Sequence, residues 1–240
     1  MFPISDQPRP GRGIAIVTVA LIVINVLVFL YELSLAAGVD NLILTYGAVP
    51  REILTGQDVP PAGPNPLWLQ LVTSMFLHGG WLHIIGNMAY LRVFGDDIED
   101  VLGPVLYLLF YLGAGIIASL VHIFISGPGS TIPSVGASGA IAGVMGAYLV
   151  LFPGRQVHVL LPTYGFRTGL ISAVALLGFW FVLQFLTGIA ALTEKTAEAG
   201  GVAVWAHIGG FVAGALVGLL LRGRARPQRQ LYGRHLTSLR

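Results

Sequence analysis

The sequence predicts an all-α polytopic membrane protein, a bundle of six transmembrane helices with a long external loop between the first two. Three observations predict it. Hydrophobic residues make up 55% of the 240 and charged residues only 10%, where a soluble domain carries about 25% charged residues. Mean hydropathy is +0.80. Six apolar segments, at 14–37, 67–94, 104–126, 134–152, 168–192 and 204–221, each approach or exceed the roughly 20 residues that cross hydrocarbon. Backbone groups in lipid must be satisfied within the segment, so helices are the economical reading, and no alternating pattern suggests a barrel.

Residues 1–13 read as a polar, proline-containing cytoplasmic tail. The first apolar segment is too long for a signal peptide and lacks a clear small-residue cleavage site, so it reads as a retained span. The external connection, residues 38–66, contains the run PPAGPNP, which excludes regular helix there. Its apolar residues Leu42, Ile43, Leu44, Ile53 and Leu54 predict partial contact with the membrane surface. After the second span, GDDIEDVLG (Gly95 to Gly103) reads as a short acidic cytoplasmic turn. The remaining spans complete one domain over residues 14–222, followed by a basic tail at 223–240. No internal repeat supports an inverted-repeat transporter.

Orientation follows from the basic residues. Six spans put both termini on one side. That side collects eleven arginines: Arg9, Arg12, Arg92, Arg155, Arg167, Arg222, Arg224, Arg226, Arg229, Arg234 and Arg240. The opposite loops hold two basic residues, Arg51 and Lys195. Both termini are therefore expected in the cytoplasm. The net charge of +2 reports topology and contact with anionic lipid, not a nucleic-acid partner. With no cysteine, disulfides, thiolate catalysis and cysteine-held metals are excluded.

Polar residues inside spans are the first functional candidates, because burying them in lipid is costly. The second span, FLHGGWLHIIGNMAYL, carries His78, His83 and Asn87; the fourth carries Ser138 in VGASGAIAGVMGAY; the sixth carries His207 in WAHIGGFVAGALVG. His122 in the third and Asn25 in the first read as packing residues. Ser138 lies five residues past Pro133 and His207 six past Gly201, which puts both roughly 8–9 Å below their helix starts. His83 and Asn87 share a helix face one turn apart. Four polar side chains from three spans thus meet at one depth.

A serine and a histidine at one level can act as nucleophile and general base. No carboxylate is read at that depth, since Asp96, Asp97, Glu99 and Asp100 are at the other face and Glu32 is near the external surface. The pair is therefore expected as a dyad, with His83 and Asn87 suited to an oxyanion site. Bland alternatives stand beside this. Small residues and a lone serine also serve helix packing, and a membrane histidine also serves as an interhelical hydrogen bond. His78 and His83 also read as a metal pair, though nothing in the sequence completes a site. Gly136 and Gly139 would clear the approach to Ser138. Gly139 and Gly143 form a small-x3-small face, for which Gly210, Gly214 and Gly218 of the sixth span are the expected partner.

These residues carry a resemblance. The ordered motifs His78-x4-His83-x3-Asn87, Gly136-Ala137-Ser138-Gly139 with Gly143, and Ala206-His207-x2-Gly210-x3-Gly214 resemble those of the rhomboid intramembrane serine proteases, in their six-span bacterial form. The resemblance covers about residues 14–222. It implies Ser138 as nucleophile and His207 as its base and later acid. It further implies His83, Asn87 and the Ser138 backbone N–H as the oxyanion hole, and His78 as a supporting residue. It also implies cleavage of transmembrane proteins near their external ends, no metal or cofactor, and residence in a bacterial cytoplasmic membrane. A non-proteolytic relative that binds client helices is the competing expectation. Two departures stand out. Ala142 occupies the place where the best-studied bacterial pattern has an aromatic residue packed on the histidine, leaving Trp205 and Tyr148 as candidates for that support. The pattern's Trp-Arg pair in the first external loop is also missing.

Overall fold

The structure is a computed structural model, and it describes residues 2–7, 13–163, 165–193 and 203–223. The expected tail at 223–240 lies outside the described residues, apart from Gly223. The chain begins with strand β1 (Phe2–Asp6) and helix α1 (Ile16–Ser34). Short helices α2 (Val39–Tyr46), α3 (Pro50–Thr55) and α4 (Gln70–Thr73) lead to the long helices α5 (Trp81–Leu102) and α6 (Pro104–Ser126). Then come α7 (Ser138–Leu151), the strands β2 (Gln156–Thr163) and β3 (Gly165–Ser172), and helices α8 (Ala173–Thr193) and α9 (Val204–Leu221). Among the described residues, four stretches are long and apolar enough to cross a membrane: Ile16–Ser34, Pro104–Ser126, Ala173–Ala191 and Val204–Leu221.

Helix α7 is the centre. Eleven of its fourteen residues, from Gly139 to Leu151, are buried, and α5, α6 and α9 pack around it. At 1.5 Å per residue it is only about 21 Å long, but a helix enclosed by protein need not match the bilayer thickness. It starts at Ser138 rather than near Pro133. Gly136 has φ +123°, a conformation that L side chains rarely adopt, so the chain turns there and becomes helical two residues later. The serine's depth thus comes from a connection that descends into the bundle, not from a turn of helix above it.

That connection is pinned. Ala48 and Ser134 exchange both backbone hydrogen bonds, at 2.9 and 3.0 Å, and the Gly136 N–H donates to the Ser74 carbonyl at 2.8 Å. The stretch 38–66 is therefore not an open loop. It holds α2 and α3, and Ala48 joins Leu71 and Ile123 in a small apolar cluster. Gln70 ties it further: its side-chain carbonyl accepts from the Val49 N–H at 3.3 Å, and its amide donates to the Glu52 carboxylate.

Glycine sets the distance between α7 and α9. A Cβ on Gly210 would collide with the Gly139 carbonyl, and one on Gly214 with the Gly143 carbonyl. A Cβ on Gly218 would crowd Ala147. Partners advance by four on both helices, so α7 and α9 run parallel with their backbones in contact. Ser138 and His207 consequently sit at the same end of the pair.

The opposite end holds a three-stranded antiparallel sheet in the order β1-β2-β3, which the sequence reading missed. Residues 2–6, expected as a tail, pair with β2 from Phe2↔Leu160 to Asp6↔Val157. β2 pairs with β3 from Gln156↔Ser172 to Thr163↔Gly165. Val157 and Val159 face inward, fully buried, while His158 between them is exposed, the alternation of a half-buried strand.

The acidic segment after Phe94 is not a turn either, since α5 continues to Leu102. Two of its carboxylates have structural work. Glu99 accepts from the Val17 N–H at 2.9 Å, the Thr18 N–H at 2.8 Å and the Thr18 hydroxyl at 2.8 Å. It caps α1 from another helix and places negative charge at the positive helix end. Asp97 and Asp6 flank Arg155, at 3.5 and 2.7 Å. Arg155 also donates to the Gln7 carbonyl, and the Tyr148 hydroxyl donates to Asp6 at 3.0 Å. Arg155 is only 2% exposed, so one of the eleven arginines that set the orientation is a buried ion-pair partner.

Candidate active site

Ser138 opens α7 and His207 lies in the first turn of α9. The parallel contact of these helices brings the Ser138 hydroxyl to 2.7 Å from Nε2 of His207. Being the first residue of its helix, Ser138 has a backbone N–H with no acceptor one turn earlier, and the helix end adds partial positive charge there. The site is built at a helix terminus that is already suited to an anion.

His83 and Asn87 come from the first turns of α5. The Gly79 N–H donates to Nδ1 of His83 at 3.3 Å, which leaves the ring proton on Nε2. That edge borders the space above Gly136: a Cβ there would lie 2.7 Å from Nε2 of His83 and 3.7 Å from Oγ of Ser138. Gly136 therefore clears room for His83. Gly139 clears room for α6, since its Cβ would meet Ala118 at 2.7 Å. The sequence reading had both glycines clearing the approach of a substrate backbone or of His207, beside a packing role for Gly139. Asn87 is buried, and among the described residues its Nδ2 has no hydrogen-bond partner, leaving a donor for a ligand.

His78 is 2% exposed and sits in the bend before α5. Its backbone N–H donates to both Glu32 carboxylate oxygens, at 3.0 and 3.3 Å. Its ring Nδ1 donates to the Phe76 carbonyl at 3.3 Å, and the ring meets that of His83 edge-on, with centroids 5.1 Å apart. Glu32, near the end of α1, is thus buried against this bend. Among the described residues no third His, Asp or Glu joins His78 and His83 in a group that could hold a metal. Beside Ser138 lies a small cavity bordered by Ser74, Met75, Gly115 and Ser119, with room for about one water molecule.

The support expected from an aromatic residue comes from elsewhere. Tyr148 packs on Phe94 and Phe152 near the sheet, at 4.8 and 5.2 Å, and Trp205 lies beside Gly188 of α8. Neither supports the imidazole. Trp180 of α8 does, with its ring centroid 5.7 Å from that of His207. One turn further along α8, the Gln184 side-chain carbonyl lies 2.8 Å from Nδ1 of His207. The sequence reading named neither residue. An amide in the middle of an apolar span was the available signal for Gln184.

This arrangement can carry out acyl transfer: a hydroxyl bonded to an imidazole nitrogen, with donors grouped around a helix N-terminus. Comparison with known proteins places the chain in a family. The Rhomboid domain family profile matches residues 65–224. The rhomboid protease GluP of Bacillus subtilis is 30% identical over 212 residues, covering 88% of this chain and 35% of GluP. RHOMBOID-like protein 5 of Arabidopsis thaliana is 30% identical over 159 residues, covering 66% of this chain and 45% of its own length. The rhomboid protease AarA of Providencia stuartii is 28% identical over 234 residues, covering 91% of this chain and 76% of AarA. The chain thus spans about a third to a half of two of these relatives and three quarters of the third. With four helices among the described residues long and apolar enough to cross a bilayer, this chain is an integral membrane protein and belongs to the rhomboid family.

Proposed function

We propose that the protein is an intramembrane serine endopeptidase that cleaves transmembrane proteins near their external ends. The observation that carries this reading is the 2.7 Å hydrogen bond between Ser138 Oγ and His207 Nε2. In the reaction Oγ attacks the scissile carbonyl and its proton passes to Nε2 of His207. The oxyanion is met by the Ser138 N–H, the Nε2–H of His83 and the Nδ2–H of Asn87. His207 then returns the proton to the leaving amine, and a water activated by the same nitrogen hydrolyses the acyl-enzyme. His78 supports the bend that carries His83. No step requires a metal or cofactor.

The unit performing this is the six-helix domain of residues 14–222, with α5 and the enclosed α7 joining the four long spans. Both termini face the cytoplasm of a bacterium, so the Ser138 end opens outward, where water is available. Glycine-to-carbonyl contact along α7 and α9, through Gly139, Gly143, Gly210 and Gly214, keeps nucleophile and base in register.

Labelling of the purified protein in detergent by a fluorophosphonate tests the reading. Wild type is expected to label and Ser138→Ala to remain blank. Equal labelling of both, or none of wild type, would sink the assignment and favour a non-proteolytic relative that binds client helices.

A further inference from the structure

We propose that Gln184 is the positioning residue of the general base: its side-chain carbonyl holds the Nδ1–H of His207, so that Nε2 faces Ser138 with its lone pair free. The inference rests on the protease reading above and extends its Ser–His pair to a Ser–His–Gln array.

The geometry is a line of three groups. Gln184 Oε1 lies 2.8 Å from Nδ1 of His207, and Nε2 of the same ring lies 2.7 Å from Ser138 Oγ. A neutral imidazole carries one N–H and one lone pair, and a carbonyl oxygen can only accept. With Oε1 facing Nδ1, the proton must sit on Nδ1, and Nε2 is left to take the serine proton. The reverse tautomer would donate from Nε2 to the hydroxyl and could not act as a base.

Helix α8 is arranged for this task. Trp180, Gln184 and Gly188 recur every four residues and so line one face of α8. Trp180 lies along His207 and Phe211, with ring centroids 5.7 and 5.9 Å away. Gly188 lets Trp205 approach closely on the other side of Gln184. The ring is thus covered by Trp180, while the amide fixes its rotation and its proton.

The choice of an amide has a physical reason. A carboxylate would orient the ring as well, but α8 has a mean hydropathy of 2.0 over its apolar window, and a charge there is costly. Gln184 orients without adding charge. When Oγ attacks, its proton goes to Nε2 while the Nδ1 proton stays in place. The bond to Gln184 then becomes charge-assisted and strengthens as the imidazolium forms.

The test is the rate of fluorophosphonate acylation against pH, using the full chain in detergent. Wild type, Gln184→Leu and Gln184→Glu are compared, with Ser138→Ala as the blank. Among the described residues, the other titratable groups whose charge acts on His207 are His83 of α5 and His122 of α6, and both stay constant through the series. Leucine removes the acceptor, so acylation is expected to fall about 10- to 100-fold, with the acid limb of the profile at lower pH. Glutamate keeps an acceptor and favours the imidazolium, so the rate at alkaline pH is retained and the acid limb moves to higher pH. Opposite displacement of the limbs is the signature of positioning, because a merely structural loss lowers the rate equally at every pH. Wild-type rate and profile in both variants, or displacement in the same direction, overturns the proposal. If Gln184→Leu does not fold, the limb of Gln184→Glu alone decides. Wild type that fails to label removes the protease reading itself, whereas labelling wild type with unmoved variants removes only the role of Gln184.

Discussion

The two ends of the α7–α9 pair are held by different physics. At the sheet end, charge and hydrogen bonding dominate: Arg155 lies between Asp6 and Asp97, Tyr148 bonds Asp6, and Glu99 caps α1. Bare-backbone contact runs along the pair, and at the Ser138 end donors such as Asn87 Nδ2 have no partner among the described residues. One end uses its polar groups to fix the fold. The other leaves polar groups available, and buried groups without partners cost stability unless a ligand completes them. The difference predicts that changes at the two ends separate activity from stability.

The largest effect is expected at the Ser138 end. Ser138→Ala and His207→Ala should each abolish cleavage of a single-span reporter co-expressed with the protein, while thermal unfolding in detergent stays near wild type. Cleavage persisting in His207→Ala would show that another group serves as base. At the sheet end, Arg155→Leu leaves Asp6 and Asp97 without their shared cation. Stability should fall by about 3–5 kcal/mol, read as an early unfolding transition, while molecules still folded should label with fluorophosphonate at the wild-type rate. Loss of labelling in that folded fraction would erase the division between the ends.

Asn87→Ala returns to the Ser138 end with a smaller effect. Removing one oxyanion donor typically lowers turnover about 10²–10³-fold, and unfolding should not move, because among the described residues Nδ2 has no partner to lose. Unchanged turnover would remove Asn87 from the site. Smallest is Glu99→Ala, which strips the remote cap from α1. A lost cap costs about 0.5–2 kcal/mol, and the reporter should still be cut at a near-normal rate. A stability loss well beyond that range would mean Glu99 does more than cap.

The same contrast explains what could be read from the sequence. α6 and α9 fall at the boundaries of their apolar runs, 104–126 and 204–221, because Pro104 opens one helix and Gly127 follows it, while an apolar stretch ending in arginine delimits the other. The residues that meet at Ser138 were legible because a polar side chain in an apolar span stands out. Gln184 stands out in the same way, as an amide within an apolar span whose partner His207 lies on the next helix, and the sequence reading did not name it. The sheet end was much less legible. Gln156–Ser172 runs into the apolar start of α8, so its period-two pattern is hidden in a longer hydrophobic stretch. Residues 2–6 become a strand only because β2 offers them an edge. Likewise Asp97 and Glu99 look like solvated charges until Arg155 and the open N-terminus of α1 are placed beside them.

The pairing of Phe2 with Leu160 also sets an order in time. A ribosome makes residues 2–6 long before β2 exists, so this strand must wait through the synthesis of α1, α5, α6 and α7 before it can dock. Its closure onto the sheet, together with the Asp6–Arg155 pair, can come only after β2 has been made.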